Sequence, residues 1–118
     1  MPPPEPRDVA LLQDMLDAAR TAIQYCRGRT RQDLDSDQML ADALARRIAI
    51  VGEAARNVSD AFQAANPQIA WRPIIATRHI LVHEYDNFDA DIIWRIVAQH
   101  LPVLVNQLQP TLTAPPGS

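Results

Sequence analysis

At 118 residues the chain is long enough for one domain with a modest core, and 47% apolar with 21% charged residues excludes wholesale disorder. A formal net charge of −3 excludes a polycationic surface, so any contact with nucleic acid has to use a local cluster of basic groups. A single cysteine excludes both a disulfide framework and a cysteine-based metal site within one chain.

Residues 1–7 read as a disordered proline-rich arm, residues 8–110 as one helical domain, and residues 111–118 as a disordered tail. Asp8 is the expected N-cap of the first helix. Val9, Leu12, Leu16, Ala19, Ile23 and Cys26 then recur at spacings of three and four. A second stripe runs beside it through Leu11, Met15, Ala18, Ala22 and Tyr25, giving an apolar face wider than one neighbouring helix covers. Gly28 ends this helix, and Cys26 on its stripe reads as a small buried hydrophobe.

Asp35 with Gln38 three residues on resembles a capping box for the second helix. Leu40, Leu44, Ile48, Val51, Ala55, Val58 and Phe62 form its stripe, and Asn66-Pro67 stops it. The resulting helix of about 28 residues would span roughly 40 Å and be the longest element. Trp71-Arg72-Pro73 opens a third helix, with proline tolerated in the first turn. Ile74, Ile75, Ile80, Leu81 and Val82 make that helix apolar around much of its circumference, so it should be central.

Asp86 or Asn87 is the expected cap of the last helix, whose stripe is Ile92, Ile93, Ile96, Val97, Leu101, Leu104 and Leu108. Pro102 lies inside that pattern and should kink it or end its regular part. The predicted fold is therefore all-α, an up-and-down four-helix bundle with a kinked last helix. No apolar run reaches membrane-spanning length, and the first six residues have neither the basic start nor the apolar stretch of a signal peptide. A soluble cytoplasmic protein is the expectation.

The three histidines are the natural proton-transfer candidates near neutral pH. His79 and His83 lie four apart, on one helix face, and could chelate a metal. Only Glu84 is near enough to add a ligand, and it falls on another face, so no metal is expected. His100 has no obvious partner and reads as structural or exposed. Arg78 and His83 are five apart, about 140° around an ideal helix. They converge only if the helix ends near His83 or if two copies face each other across a dimer axis.

An arginine can stabilise the extra charge of a pentacoordinate phosphorus, and a histidine can take a proton from a ribose 2′-OH or give one to the departing 5′-oxygen. Arg78 and His83 together would suffice for metal-free RNA cleavage leaving a 2′,3′-cyclic phosphate. DNA lacks the nucleophile and should survive.

The spacing Arg78-x4-His83-x-Tyr85 resembles the Arg-x4-His-x-Tyr motif of HEPN-superfamily toxins, in particular the HepT-like group, and His79 fits the polar residue that follows the motif arginine. Gly52-Glu53-Ala54-Ala55, Asn66-Pro67 before Trp71, and Trp94 with Leu101-Pro102 resemble the same group. The likeness covers roughly residues 8 to 108. It implies an all-α homodimer with a composite site, ribonuclease activity that restrains growth, and Arg78 and His83 as the catalytic pair. It also implies a cognate antitoxin, a small MntA-type nucleotidyltransferase that would move AMP from ATP to Tyr85. A bulky anionic group there would occupy and neutralise the phosphate site. No cofactor is implied.

Two positions depart from the group's pattern. Ala76 stands where glycine is frequent, and Glu84 sits where a small residue is common; its carboxylate would repel RNA phosphate or raise the histidine pKa. Among accessory residues, Glu53 either pairs with Arg46 or Arg56 or reaches the site. Arg72 and Arg95 either extend a phosphate-binding surface or are solvated, and Trp71 and Trp94 read as core or interface rather than base-stacking platforms. The competing reading is a non-catalytic helical dimer that binds nucleotide and docks the nucleotidyltransferase.

Overall fold

A computed structural model describes residues 4–83 and 89–113; for positions 78–83 and 113 the backbone alone is described. Seven α-helices and one π-helical turn follow in order: α1 (Pro6–Tyr25), α2 (Asp33–Ser36), α3 (Gln38–Asn57), α4 (Asp60–Ala65), α5 (Trp71–His83), α6 (Ala90–Arg95), the π segment (Ile96–His100) and α7 (Leu101–Thr113). The fold is all-α, with no strand among the described residues. None of its described helices is long and apolar enough to cross a membrane.

α1 begins two residues before the expected cap. Pro6 occupies its first turn, where no N–H is required, and the Val9 amide donates to the Glu5 carbonyl at 2.9 Å. Asp8 is thus not a cap. Its side chain is buried and turns toward Ser59, whose amide and hydroxyl donate to the two carboxylate oxygens at 2.9 and 2.6 Å. Most of both apolar stripes of α1 is consumed inside the chain, with Val9 and Tyr25 at the two ends left 38% exposed. Leu12, Met15, Leu16, Ala18, Ala19 and Ala22 are buried where α1 packs on α3 and α7. An apolar face wider than one helix covers therefore has its two covering helices, α3 and α7, in the same chain.

After α1 the backbone passes through Gly28, which lies beyond the helix end with φ +73°, a left-handed conformation that glycine adopts without strain. The capping residue of α3 is Asp37, not Asp35: its Oδ1 accepts from the Leu40 amide at 3.1 Å. Asp35 lies within α2, where it pairs with Arg31 at 3.1 Å. Arg31 also donates to Asp91, tying the α1–α2 connection to α6.

The expected single long helix is two helices. Val58 and Ser59 are extended (ψ 138° and 149°), and the Ser59 hydroxyl caps α4 by accepting from the Phe62 amide at 3.1 Å. The Asp8 carboxylate holds Ser59 in that place from 51 residues away in sequence, and Gln63 Nε2 donates to the Ala55 and Val58 carbonyls where α3 ends. Leu40, Leu44, Ile48, Val51, Ala55, Val58 and Phe62 nonetheless all enter the core, so the stripe survives the break.

α3 also packs along α5. The last helix is capped by Asp89, whose carboxylate accepts from the Asp91 and Ile92 amides at 2.9 and 3.3 Å. Neither Asp86 nor Asn87, which lie outside the described residues, is needed for that role. Pro102 acts on the turn before it. An α-helical continuation would press the proline ring on the carbonyl of Ala98 and leave that carbonyl without a donor. The chain instead widens into a π turn in which the Leu101 amide donates to the Ile96 carbonyl, five residues back. Helix reaches residues 6–7 and 111–113, which the composition assigned to the two arms.

Candidate functional site

Asn66 builds the entry to α5. This buried side chain donates from Nδ2 to the Phe62 carbonyl at 3.0 Å, and its Oδ1 accepts from Gln68 Nε2 at 3.3 Å. Its backbone carbonyl accepts the Trp71 indole N–H at 3.0 Å. The indole meets the Phe62 ring edge-on, with centroids 6.1 Å apart and planes at 85°. Trp71 is therefore a core residue that also fixes where α5 begins, and Trp94 is a half-buried one packed against the same core. Pro73 sits in the first turn, its carbonyl accepting from Thr77 Oγ1 at 2.8 Å.

From that anchored start, the backbone of α5 carries positions 78, 79 and 83 in one continuous α-helix. On this backbone, positions 78 and 83 are about 140° apart around the axis. Tyr85 and Glu84 lie outside the described residues. Of the accessory candidates, Arg72 is exposed in the first turn of α5 and Glu53 is exposed on α3. Among the described residues Glu53 forms no ion pair with Arg46 or Arg56; its carbonyl accepts from Asn57 Nδ2 at 2.9 Å.

Beside the first two turns of α5 runs a groove of about 360 Å³. α5 and the residue before it contribute Ala70, Pro73, Ile74 and Thr77, an i, i+3, i+4, i+7 stripe, and α3 contributes Ile48 and Val51 to the floor. The opposite wall is α6, the π segment and α7, with Arg95 and His100 as its cationic and imidazole groups. Position 78 follows Ile74 by one turn, so it lies on the groove side of α5, whereas position 83 lies on the far side.

His100 is the residue that sequence reasoning set aside. It is exposed, as expected, and it also lines this groove with Arg95. A signal was present: Arg95-x4-His100 repeats the spacing of Arg78-x4-His83.

Titration behaviour is perturbed at two described groups. Burial pushes the Cys26 thiol up, opposed by the nearby Arg29 guanidinium. The Arg31 guanidinium is raised by its hydrogen bonds to Asp91 and Asp35.

Residues 15–111 match the family described as Ribonuclease HepT-like. Among curated proteins, the chain is 29% identical over 104 residues to one of Methanocaldococcus jannaschii named "Putative RNase MJ1380", covering 87% of this chain and 95% of that protein. It is 28% identical over 98 residues to the "Probable ribonuclease HepT" of Thermococcus cleftensis, covering 83% of this chain and 89% of that one. A protein of Caldanaerobacter subterraneus named "Putative RNase TTE0752" is 29% identical over 101 residues, 86% of this chain and 90% of its own length. No solved structure matches significantly.

Proposed function

The chain belongs to the ribonuclease HepT-like family, and from that premise we propose that it is a metal-independent endoribonuclease, the toxin of a toxin–antitoxin pair. The observation that carries this reading is the Arg78-x4-His83-x-Tyr85 segment, which begins on α5 within the matched residues 15–111. His83 accepts the ribose 2′-OH proton as the 2′-oxygen attacks phosphorus. The bond to the 5′-oxygen breaks, that oxygen takes up a proton, and a 2′,3′-cyclic phosphate remains. Arg78 offsets the charge gathered on the phosphoryl oxygens. His79 and Arg72 support substrate binding from the same helix, and Glu53 from α3.

Positions 78 and 83 point apart on a regular helix, so the reading includes a homodimer in which two α5 helices supply one cleft with two arginines and two histidines. Control falls to Tyr85. A nucleotidyltransferase of the MntA type would transfer AMP from ATP to the tyrosine hydroxyl with release of pyrophosphate, placing an anion where RNA phosphate binds.

Induced expression tests the core of this reading. Growth arrest and RNA loss are expected from the wild type, with cyclic-phosphate ends on the products, no effect of EDTA on purified cleavage, and loss of all of it in His83→Ala. An inert wild type supports the non-catalytic docking module instead. Co-expression with the nucleotidyltransferase should add AMP to the intact mass, and Tyr85→Phe should abolish that addition; an equal addition to Tyr85→Phe removes the tyrosine switch.

A further inference from the structure

We infer that the groove between α5 and the π segment is an RNA subsite outside the Arg78–His83 pair, in which Arg95 holds a backbone phosphate and His100 faces the adjoining base. The inference rests on the ribonuclease reading for its choice of ligand and deepens it by placing substrate beyond the scissile bond.

In an α-helix, Arg95 and His100 would stand about 140° apart and could not share one groove wall. The π turn at Ile96–His100 absorbs one residue, so the two positions relate as an i, i+4 pair, about 40° apart. Counted that way, Ile92, Arg95, Ile96 and His100 fall at i, i+3, i+4 and i+7, and all four line the groove. The irregular turn thus gathers the arginine and the imidazole on one wall. Single π turns inside α-helices recur at functional sites.

The chain is acidic overall, at −3, yet the described lining of this groove holds an arginine, a histidine, two glutamines and a threonine with no carboxylate. Apolar surface remains open within it, with Ile92 37% and Val103 54% exposed. A base with its flat π face, attached to an anionic phosphate, meets both demands, stacking on the apolar side chains while the phosphate takes the guanidinium. A second copy of this chain fits less well. A two-fold contact through this face would set each Arg95 against the same uncompensated patch of its partner.

The groove lies along the stripe of α5 that ends at Thr77, and position 78 is one turn beyond Ile74 on that side. A strand whose scissile phosphate meets Arg78 has its neighbouring nucleotide beside the groove.

The test uses the full chain and a fluorescent, single-stranded 2′-O-methyl RNA about ten nucleotides long, which binds but lacks the free 2′-OH needed for cleavage. Fluorescence anisotropy across a salt series is expected to show about fivefold weaker binding for Arg95→Gln, with the slope of log affinity against log salt reduced by about one. Arg95→Lys should restore the slope, and His100→Ala should weaken binding without altering it. Both positions are exposed, so thermal melts should match the wild type. In cleavage assays the same substitutions should act through KM. Unchanged affinity and slope in Arg95→Gln would falsify the subsite. So would a shift in the sedimentation of free protein with RNA affinity intact, which makes the groove a contact between copies. If the wild type binds this RNA in an Arg95-dependent way but cuts no RNA, the ribonuclease reading fails and the subsite stands.

Discussion

Two stretches of this molecule carry the same spacing, an arginine followed five residues later by a histidine, and the fold treats them differently. Arg78 and His83 lie on α5, a regular α-helix whose start is pinned by Trp71 and Asn66. Arg95 and His100 straddle a π turn ahead of Pro102. In the first stretch the two positions diverge by about 140°; in the second they share a wall of one groove. Residue spacing therefore specifies a site only together with the winding of the helix beneath it. On the α5 backbone the first two positions diverge, whereas the second two are gathered on one groove wall within a single chain.

Separating the two histidines gives the largest expected effect. His83→Ala should lower kcat by about 10²- to 10⁴-fold, the usual contribution of a positioned acid–base group, whereas His100→Ala should raise KM. Comparable kcat losses in both variants would erase the distinction between a reacting pair and a binding pair.

The support beneath α5 comes next. Asp8→Ala removes both acceptors of Ser59 and should cost about 2 kcal/mol, since hydrogen bonds to a charged group rank among the stronger ones. Urea denaturation reads the loss directly. A stability equal to the wild type would mean that the α3–α4 break does not depend on Asp8. Trp71→Phe keeps most of the ring but strips the Asn66 carbonyl of its indole donor, an expected cost of about 1 kcal/mol. If that bond sets the register of α5, kcat should fall with it while binding of the 2′-O-methyl RNA through Arg95 holds. Equal losses at both sites would show that the two stretches are not independently anchored.

Much of the helical framework was legible because burial follows periodicity. Every residue of the Leu40-to-Phe62 stripe enters the core, although two helices carry it. The break was not legible, because its cause is non-local: the Asp8 carboxylate reaches Ser59 from a position that reads as an ordinary helix cap. Caps went astray for a related reason. Asp35 and Asp37 both stand near the start of α3, and only the backbone decides which carboxylate faces the free amides. At the candidate site, the motif spacing and the roles of Asn66-Pro67 and Trp71 near α5 were readable as a pattern. His100 was not, since its place beside Arg95 depends on a turn that Pro102 foreshadows without naming.

The smallest effect is expected from a change that alters the spacing but keeps the face. Deleting Gln99, an exposed residue of the π segment outside the groove lining, leaves Arg-x3-His in the sequence. A π turn behaves as an α-helix with one residue inserted, so the deletion should restore α-helical winding without rotating α6 against α7, with the Pro102 ring then pressed on the Val97 carbonyl and the melting temperature lowered. Arg95 and the former His100 would then be true i, i+4 neighbours, again about 40° apart. Affinity for the 2′-O-methyl RNA should stay within about twofold of the wild type, and its salt slope should be unchanged. Ile93, Val97, Leu101, Leu104 and Leu108 keep their buried face in this arrangement, so the thermal melt should remain cooperative. If the deletion weakens binding as far as Arg95→Gln does while the melt stays cooperative, the π turn contributes more than alignment. The groove would then depend on its widened backbone as well as on the two side chains it brings together.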